Sequence, residues 1–267
     1  MNTANRVSLS IEDQVARVEL ARPEKHNALD LEMFSAIVET QNKIARNRNI
    51  RVVILSGSGI DFCTGLDVKS LMKDRAGMLK LLWKWSPWRA NLAQKVCIGW
   101  RKLQVPVIAT VQGRCWGGGL QIAMGADFRF VSPTASLSVM EGKWGLIPDM
   151  GGTLAMRELT RIDQALLLSM SAGEISGERA LELGLATELS DDPLTRANQL
   201  AGQLIERSPD ALAAVKRLYY KSWKAGSGWA LARESAYQVR ILSGPNQRIA
   251  VRRQFGDKKA FRQARRW

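Results

Sequence analysis

The chain has 267 residues, of which 46% are hydrophobic and 24% are charged, so it holds enough apolar material for one large core. Its three cysteines form no CxxC pair and it has one histidine, which argues against a disulfide scaffold and a Cys/His zinc site. No apolar run is long enough to cross a bilayer, and residues 1–14 lack the apolar stretch of a secretory signal. We therefore expect a reduced, cytoplasmic protein with no metal and no membrane partner.

The charge of the chain is strongly positive. Basic residues outnumber acidic ones by 39 to 25, a net charge of +14, and half of this excess lies in residues 248–267. Such a balance suits nucleic acid, an anionic surface or a phosphate-bearing small molecule. A solvated, solubilising tail explains it equally well, so charge alone does not decide between these interpretations.

Hydrophobic patterning predicts that strands and helices alternate as far as residue 189. Residues 7–20 predict a β-hairpin that turns near Glu12, and residues 27–45 follow helical spacing with Asp30 as the N-cap. Short β-branched runs predict buried parallel strands at residues 51–56, 105–111 and 128–131. Helical patterns lie around them, at residues 66–72, 88–103 and 119–124. This alternation is typical of an α/β fold with a largely parallel sheet.

After residue 192 the pattern changes to helices alone. Ser208-Pro209 and Gly244-Pro245 separate these helices, which are predicted at residues 194–207, 210–225, 229–242 and from 247 onwards. We therefore predict a catalytic core over residues 1–192 and a C-terminal helical region over residues 193–267.

The strongest local feature is a run of glycines at residues 117–119, between a predicted strand and a predicted helix. Its backbone N–H groups lie at the positive end of a helix dipole, although glycines that only permit close packing are an alternative explanation. A second turn of small residues, 62–67, also joins a strand to a helix. The two turns can direct the N–H groups of Leu66 and Gly118 at one oxygen, an arrangement that suits the enolate of a thioester.

Three polar side chains after the glycine run are candidates for proton chemistry. Gln121 can orient a substrate or a water molecule but cannot act as a base. Glu141 and Asp149 are eight residues apart, and the turn between them could bring both carboxylates into one cleft with displaced pKa values. Alternatively, Asp149 caps a helix over residues 151–159, and spacing alone leaves these two roles open.

Five motifs together resemble those of the crotonase superfamily, the enoyl-CoA hydratases and isomerases. They are RPEKHNAL at 22–29, FCTGLDVK at 62–69, PVIATVQG at 106–113 leading to the glycine run, GLIPDMGG at 145–152 and ALELGL at 180–185. They occur in register along nearly the whole chain, so they are specific for the superfamily and much less specific for the reaction.

The resemblance implies a crotonase-like spiral of ββα turns with a C-terminal helical trimerisation region, and therefore a homotrimer or a hexamer built from two trimers. It implies an acyl-CoA thioester as the partner, with coenzyme A as part of the substrate and no separate cofactor. It also implies catalytic roles for Glu141, Asp149 and the N–H groups of Leu66 and Gly118. The residues implied to contact CoA or the acyl group are Lys25, His26, Ala28, Thr64, Gly65, Asp67, Lys69, Gly117, Gln121, Trp144 and, in a basic C-terminal helix, Lys258.

The departures from the family pattern decide which reaction is expected. Family hydratases carry two glutamates where this chain has Gln121 and Glu141. Dienoyl-CoA isomerases resemble it in the acidic pair Glu141 and Asp149, but they differ in having an aspartate where this chain has Gln121. We therefore expect a double-bond isomerase, with a hydratase that uses Glu141 and Asp149 as the alternative. A third hypothesis is a CoA- or RNA-binding protein with vestigial catalysis, which ranks below both because the catalytic features are present, and nucleic acid is not the expected partner.

Nine tryptophans are an unusual number for this length. Four of them, Trp83, Trp85, Trp88 and Trp100, precede the strand at residues 105–111 or lie in the helix before it. Packing in the core or between subunits explains most of them. A second interpretation is that Trp144, with Trp83 or Trp88, shapes a broad acyl site.

Overall fold

The predicted hairpin forms one edge of the central sheet. In the computed structural model, which describes residues 6–267 and only the backbone of residues 72, 73 and 75, β1 (Val7–Glu12) pairs antiparallel with β2 (Val15–Leu20). The prediction that residues 1–14 contain no secretory signal falls partly outside the described residues, because residues 1–5 are not among them. Asp13 and Gln14 make the turn with positive φ angles. Helix α1 (Leu31–Arg46) follows, and the side chain of Asp30 caps it by accepting a hydrogen bond from the N–H of Met33.

The remaining strands of the central sheet run parallel, as the sequence predicts. Its order is β1-β2-β3-β4-β6-β9, with β3 (Val52–Gly57), β4 (Val107–Val111), β6 (Phe128–Val131) and the short β9 (Glu188–Leu189). A smaller sheet contains β5 (Arg114–Trp116), β7 (Ser136–Ser138) and β8 (Glu174–Ser176). These three-residue strands were not predicted, because they are too short to show an alternating pattern.

The two sheets and the helices form successive ββα turns. The chain passes from β4 to β5 and then into α5 (Gly118–Met124), so a strand of each sheet precedes the helix. An earlier turn passes from β3 through Cys63, which forms an isolated bridge with Cys115, into α2 (Val68–Lys73). Helix α3 (Arg75–Leu82) and helix α4 (Leu92–Lys102) lead to β4. The expected crotonase-like spiral with C-terminal helices is confirmed.

Apolar side chains fill both faces of the central sheet. The larger core includes Phe34, Leu55, Phe62 and Trp100, all fully buried. Helices α6 (Gly152–Leu159), α7 (Ile162–Ser171) and α8 (Gly177–Glu182) follow the small sheet or flank it. Helix α9 (Pro193–Ile205) covers the opposite face, where its Ala197 packs with Ile54 and Phe130 in a second core.

The C-terminal region consists of helices, as predicted, but its last helix ends early. Helices α10 (Pro209–Ser222), α11 (Ser227–Leu242) and α12 (Pro245–Gln254) follow α9, and no regular structure follows Gln254. The expectation that Lys258 lies in a basic helix is therefore wrong. The tail after α12 is instead held by Asn246, which accepts from the N–H of Arg262, and by Asp210, which accepts from the N–H of Arg265. The division of the chain at residue 192 into two domains stays a prediction.

The buried Lys216 fixes α10 to the core. Its Nζ donates to the carbonyl oxygens of Trp100 and Val105 and pairs with Asp127 at 2.7 Å. Three partners for three N–H groups compensate the burial of this charge. Within residues 6–267, no helix has the length and apolar character needed to pass through a lipid bilayer.

Candidate functional site

The turn before α2 leaves the N–H group of Leu66 without an acceptor. Leu29 pairs with Leu66 in a parallel bridge, in which the N–H of Leu29 donates to the Gly65 carbonyl and the N–H of Asp67 donates to the Leu29 carbonyl. The N–H of Leu66 therefore points to the other side of this bridge. Among the described residues, nothing accepts a hydrogen bond from it.

The glycine run leaves a second N–H group free. Gly117 caps α5 with a φ angle of +49°, a conformation that disfavours residues with a Cβ atom, and its own N–H donates to the Ser138 carbonyl at 2.8 Å. Gly118 is the first residue of the helix, where N–H groups have no partner within the helix. Its N–H has no acceptor within residues 6–267.

These two free donors lie side by side at one cavity. The backbone of Gly65, which precedes Leu66, is so close to the glycine run that a Cβ atom at this position would lie 3.3 Å from the Gly118 nitrogen and 2.9 Å from the Trp116 carbonyl oxygen. Both Leu66 and Gly118 line a cavity of about 500 Å³. Two N–H donors that converge on one cavity can stabilise an oxyanion.

Glu141 brings a buried carboxylate to the same cavity. It lies in a 3-10 turn at Met140–Trp144 and is only 6% exposed. Its Oε1 would lie 3.6 Å from a Cβ atom on Gly117, so the carboxylate is next to the free N–H of Gly118. Burial raises the pKa of Glu141 above its usual value, and the negative charge of Asp149 raises it further against hydrogen bonds from its own N–H and from Gln121. Its Oε2 is buried and has no hydrogen-bond partner in the described chain, so one oxygen of this carboxylate is left without compensation.

Gln121 orients Glu141 and does not line the cavity. Its Nε2 donates to Glu141 Oε1 at 2.5 Å, and its Oε1 accepts from the N–H groups of Met150 and Gly152 at 3.1 and 2.9 Å. The amide is buried and cannot turn over without losing all three hydrogen bonds. Gln121 therefore ties the carboxylate of Glu141 to the turn that carries Asp149.

Asp149 does not cap the helix that follows it. Helix α6 begins after Gly151, and no side chain caps its N-terminus, so the capping role for Asp149 is wrong. Asp149 is exposed to solvent, yet the surrounding protein displaces enough water to raise the pKa of its carboxyl group. The negative charge of Asp149 contributes to the raised pKa of Glu141, so the two carboxyl groups interact electrostatically.

The structure gathers most of the predicted site residues around two adjoining cavities. His26, Thr64, Gly65, Leu66, Gly117, Gly118, Glu141 and Trp144 line the larger one. A neighbouring cleft of about 420 Å³ is lined by Lys25, His26, Ala28, Leu66, Asp67, Lys69 and Trp144. Asp67 also caps α2 and pairs with Arg22 at 3.0 Å, so its side chain is engaged within the protein. Lys258, Gln121 and Asp149 line neither cavity.

The structure does not place Trp83 or Trp88 at an acyl site, as the second interpretation of the tryptophans predicts. Trp83 and Trp88 are exposed and do not line either cavity, whereas Trp144 lines both. Trp100 is fully buried in the core, as packing alone predicts.

An ion-paired cluster beside the cavity was missed in the sequence. His26 Nδ1 lies 2.8 Å from Asp61 Oδ2, and Arg114 donates to both carboxylate oxygens of Asp61. Burial alone would raise the pKa of Asp61, but the hydrogen bonds and charge of Arg114 lower it below its usual value. The available signal was the position of Asp61 and Arg114, since each lies in the turn that follows a predicted strand. Within residues 6–267 no three His, Cys, Asp or Glu side chains converge as metal ligands would.

The raised pKa of Glu141 predicts a change of stability with pH. As pH rises, the unfolded chain loses this proton before the folded chain does, so the ionised carboxylate costs stability above the usual glutamate pKa of about 4.3. The variant Glu141→Gln should therefore unfold at higher denaturant concentration than the wild type at neutral pH. The gain should disappear below about pH 4, where both forms are neutral.

Denaturant unfolding at neutral and acidic pH measures this difference. Glu12→Gln, at the exposed end of β1, is the matched control and should show no such gain. Equal stability of the Glu141→Gln variant and the wild type at both pH values would contradict the claim that the buried, ionised carboxylate of Glu141 lowers the stability of the folded chain.

Comparison with known proteins identifies the family. The model of the family described as enoyl-CoA hydratase/isomerase matches residues 10–252. Enoyl-CoA hydratase EchA19 of Mycobacterium tuberculosis is 32% identical over 204 residues, which cover 75% of this chain and 74% of the relative. The peroxisomal Delta(3,5)-Delta(2,4)-dienoyl-CoA isomerase of Arabidopsis thaliana is 28% identical over 217 residues, which cover 75% of each chain.

A solved structure supports the same assignment. A putative enoyl-CoA hydratase from Thermobifida fusca, in complex with acetoacetyl-CoA, superposes with a TM-score of 0.79 at 25% identity, covering 90% of this chain and 96% of that one. The family match extends over most of the chain, and the fold agrees with it. The chain belongs to the enoyl-CoA hydratase/isomerase family, within the crotonase superfamily.

Proposed function

We propose that this enzyme moves double bonds along an unsaturated acyl-CoA thioester, as a dienoyl-CoA isomerase does. The observation that carries the proposal is the acidic pair: Glu141 has a buried oxygen with no partner, and Asp149, nearby, has a raised pKa. Two carboxyl groups with raised pKa values suit a relay in which one accepts a proton and the other donates one. The likeness to a dienoyl-CoA isomerase supports this choice.

In the proposed reaction the thioester oxygen lies between the N–H groups of Leu66 and Gly118. An ionised carboxylate removes a proton from the carbon next to the thioester carbonyl, and the electron pair of the broken C–H bond moves to the thioester oxygen. The two N–H groups stabilise the resulting enolate. The second carboxyl group then donates a proton to a distant carbon while the enolate returns its electrons, so the double bonds shift and no atom is gained or lost.

The CoA part of the substrate fits the second cleft. Lys25 and Lys69 line it and carry the positive charge that CoA phosphates require, while Ala28 and Trp144 offer apolar surface. The cleft adjoins the larger cavity, with His26, Leu66 and Trp144 shared between them, so one extended ligand can occupy both. In this proposal CoA enters as part of the substrate and no separate cofactor takes part.

We also propose that the assembly is a homotrimer or a dimer of trimers. Helix α11 has no buried residue and exposes Trp229, Leu231, Val239 and Leu242. A helix with this much exposed apolar surface is stabilised when a partner subunit covers it. Sedimentation equilibrium measures the assembly, and a monomer at micromolar concentration would contradict the proposal.

A second candidate function is hydration of an enoyl-CoA, which the likeness to a named hydratase favours. Glu141 would then direct a water molecule through its free Oε2, with Asp149 assisting. In this structure the amide of Gln121 donates directly to Glu141, so the site lacks a second carboxylate for that water.

Removing one oxyanion donor should reduce turnover without unfolding the chain. In Leu66→Pro the free N–H is lost, whereas the bridge hydrogen bonds of Leu29 do not involve it. We expect kcat/KM to fall about 10²–10³-fold. Leu66→Ala keeps the N–H and is the control. Equal activity of the two variants, with matching circular dichroism spectra, would show that this N–H does not act in catalysis.

The assignment of the reaction is tested by assaying 3,5-dienoyl-CoA and 2-enoyl-CoA side by side. We expect faster conversion of the dienoyl ester, and a fall of about 10²–10⁴-fold in Asp149→Asn because one member of the proton relay is lost. Asp163→Asn, an exposed carboxylate in α7, is the control. Faster hydration of the enoyl ester, retained in Asp149→Asn, would overturn the isomerase assignment.

The variant Gln121→Glu tests the second candidate. A carboxylate at this position restores the pair of glutamates that family hydratases use, so hydration of 2-enoyl-CoA should rise sharply if Glu141 handles water. The same substitution places a negative charge beside Glu141, so its pKa should rise and the acidic limb of the pH profile should move to higher pH. No gain in hydration would count against the hydratase.

A further inference from the structure

An apolar patch on the surface lies outside both cavities. We call it the tryptophan patch, and it comprises Met78, Leu79 and Leu82 of α3 with Trp83, Trp85 and Trp88 of the loop that follows. All six side chains are exposed, and the exposed fraction reaches 68% for Trp83, 66% for Trp85 and 94% for Trp88. Soluble proteins rarely leave so many large apolar side chains together in water, so the patch indicates a binding surface.

Helix α3 is oriented so that its apolar side faces solvent. Gly77 and Leu81 are buried and rest on the protein, whereas Leu79 and Leu82 point outwards. The helix therefore uses only a narrow contact for its own packing. The rest of its apolar surface, continued by the three tryptophans, is exposed in the described part of the chain.

Positive charge predominates along the segment that carries the tryptophan patch, and Asp74, the N-cap of α3, is the acidic residue that directly precedes it. The chain contains no aspartate or glutamate between residues 75 and 126. Lys80, Lys84, Arg89 and Lys95 are exposed, and none of them forms an ion pair within residues 6–267. The guanidinium of Arg89 lies 4.5 Å from the centre of the Trp85 ring, so charge and aromatic surface occur together.

We propose that the tryptophan patch adsorbs to an anionic phospholipid surface. Tryptophan rings favour the boundary between headgroups and acyl chains, leucine and methionine enter the apolar layer, and lysine and arginine bind the headgroup phosphates. Adsorption of this kind needs no helix that crosses the bilayer, so it is compatible with the absence of such a helix in residues 6–267. The proposal departs from the expectation of no membrane partner, which rested only on the lack of a spanning segment.

The charges favour a lipid surface over a second copy of the chain. The core of a protein–protein interface is depleted of lysine, whereas lysine alternates with tryptophan in this segment. A membrane that contains anionic lipids offers negative charge and apolar volume together.

The patch is also connected to the substrate cavities. Helix α3 directly follows α2. Val68 of α2 lines both cavities, and Lys69 lines the smaller cleft, which is proposed to bind CoA. Adsorption would therefore hold these openings near a lipid surface, where an amphiphilic thioester concentrates. The adsorption itself does not depend on which reaction the enzyme catalyses.

Flotation of the full-length chain with lipid vesicles tests the proposal. Vesicles of phosphatidylcholine with phosphatidylglycerol should carry the protein, those of phosphatidylcholine alone should carry far less, and added salt should weaken binding. The triple variant Trp83→Ser, Trp85→Ser, Trp88→Ser should lose binding. The triple variant Lys80→Gln, Lys84→Gln, Arg89→Gln should bind on the order of a hundredfold more weakly.

The double variant Trp223→Ser, Phe255→Ser removes two exposed aromatic side chains from the ends of α10 and α12, outside the face of α11 proposed to join subunits, and is the matched control. It should bind vesicles as the wild type does, and thermal melting should show that every variant is folded. The proposal is overturned if the wild type stays unbound at low ionic strength, or if both patch variants bind like the wild type. It is also overturned if the tryptophan variant forms a smaller assembly than the wild type, since the patch would then join copies of the chain.

Discussion

Two main-chain hydrogen bonds between distant parts of the chain determine the geometry of the site. The N–H of Cys63 donates to the Arg114 carbonyl, and the N–H of Trp116 donates to the Cys63 carbonyl. These bonds align the turn before α2 with strand β5, and so they bring the free N–H groups of Leu66 and Gly118 together. The junction has no spare volume, because a Cβ atom at Gly119 would lie 2.8 Å from that of Cys63. Burial raises the pKa of the Cys63 thiol to about 12, so this side chain acts as neutral core.

A second constraint operates on the acidic side of the cavity. Glu141 is buried beside the oxyanion donors, and water is too scarce there to stabilise its charge. Gln121 supplies one compensating hydrogen bond and leaves Oε2 unpaired. The protein therefore keeps a carboxylate that is poor for stability but well suited to proton transfer.

Much of the fold follows from the sequence because long elements carry strong patterns. The hairpin, α1 with its Asp30 cap and the parallel strands β3, β4 and β6 were all predicted close to their observed bounds. Helix α3 was missed because its apolar residues face solvent, so its pattern does not mark a core-facing stripe. The helix predicted from residue 88 begins only after Asn91, whose capping box with Gln94 fixes the start of α4.

Some residues of the candidate site could be predicted from the sequence and others could not. The oxyanion donors could be proposed because each follows a strand and a glycine-containing turn. The His26–Asp61–Arg114 cluster could not, since its members are separated by 35 and 53 residues and only the register of the small sheet joins them. The alternative role of Asp149, as the cap of α6, is wrong for a local reason. Gly151 is the N-cap instead, in a left-handed conformation and without a side-chain hydrogen bond.

The hydrogen bonds of Gln121 determine which side chains this position can accept. Because its oxygen is committed to the N–H groups of Met150 and Gly152, a glutamate at the same position could accept those bonds unchanged. Such an exchange would alter the charge next to Glu141 and leave the main chain undisturbed. Residue 121 can therefore change the charge of the site while the surrounding main chain keeps its hydrogen bonds.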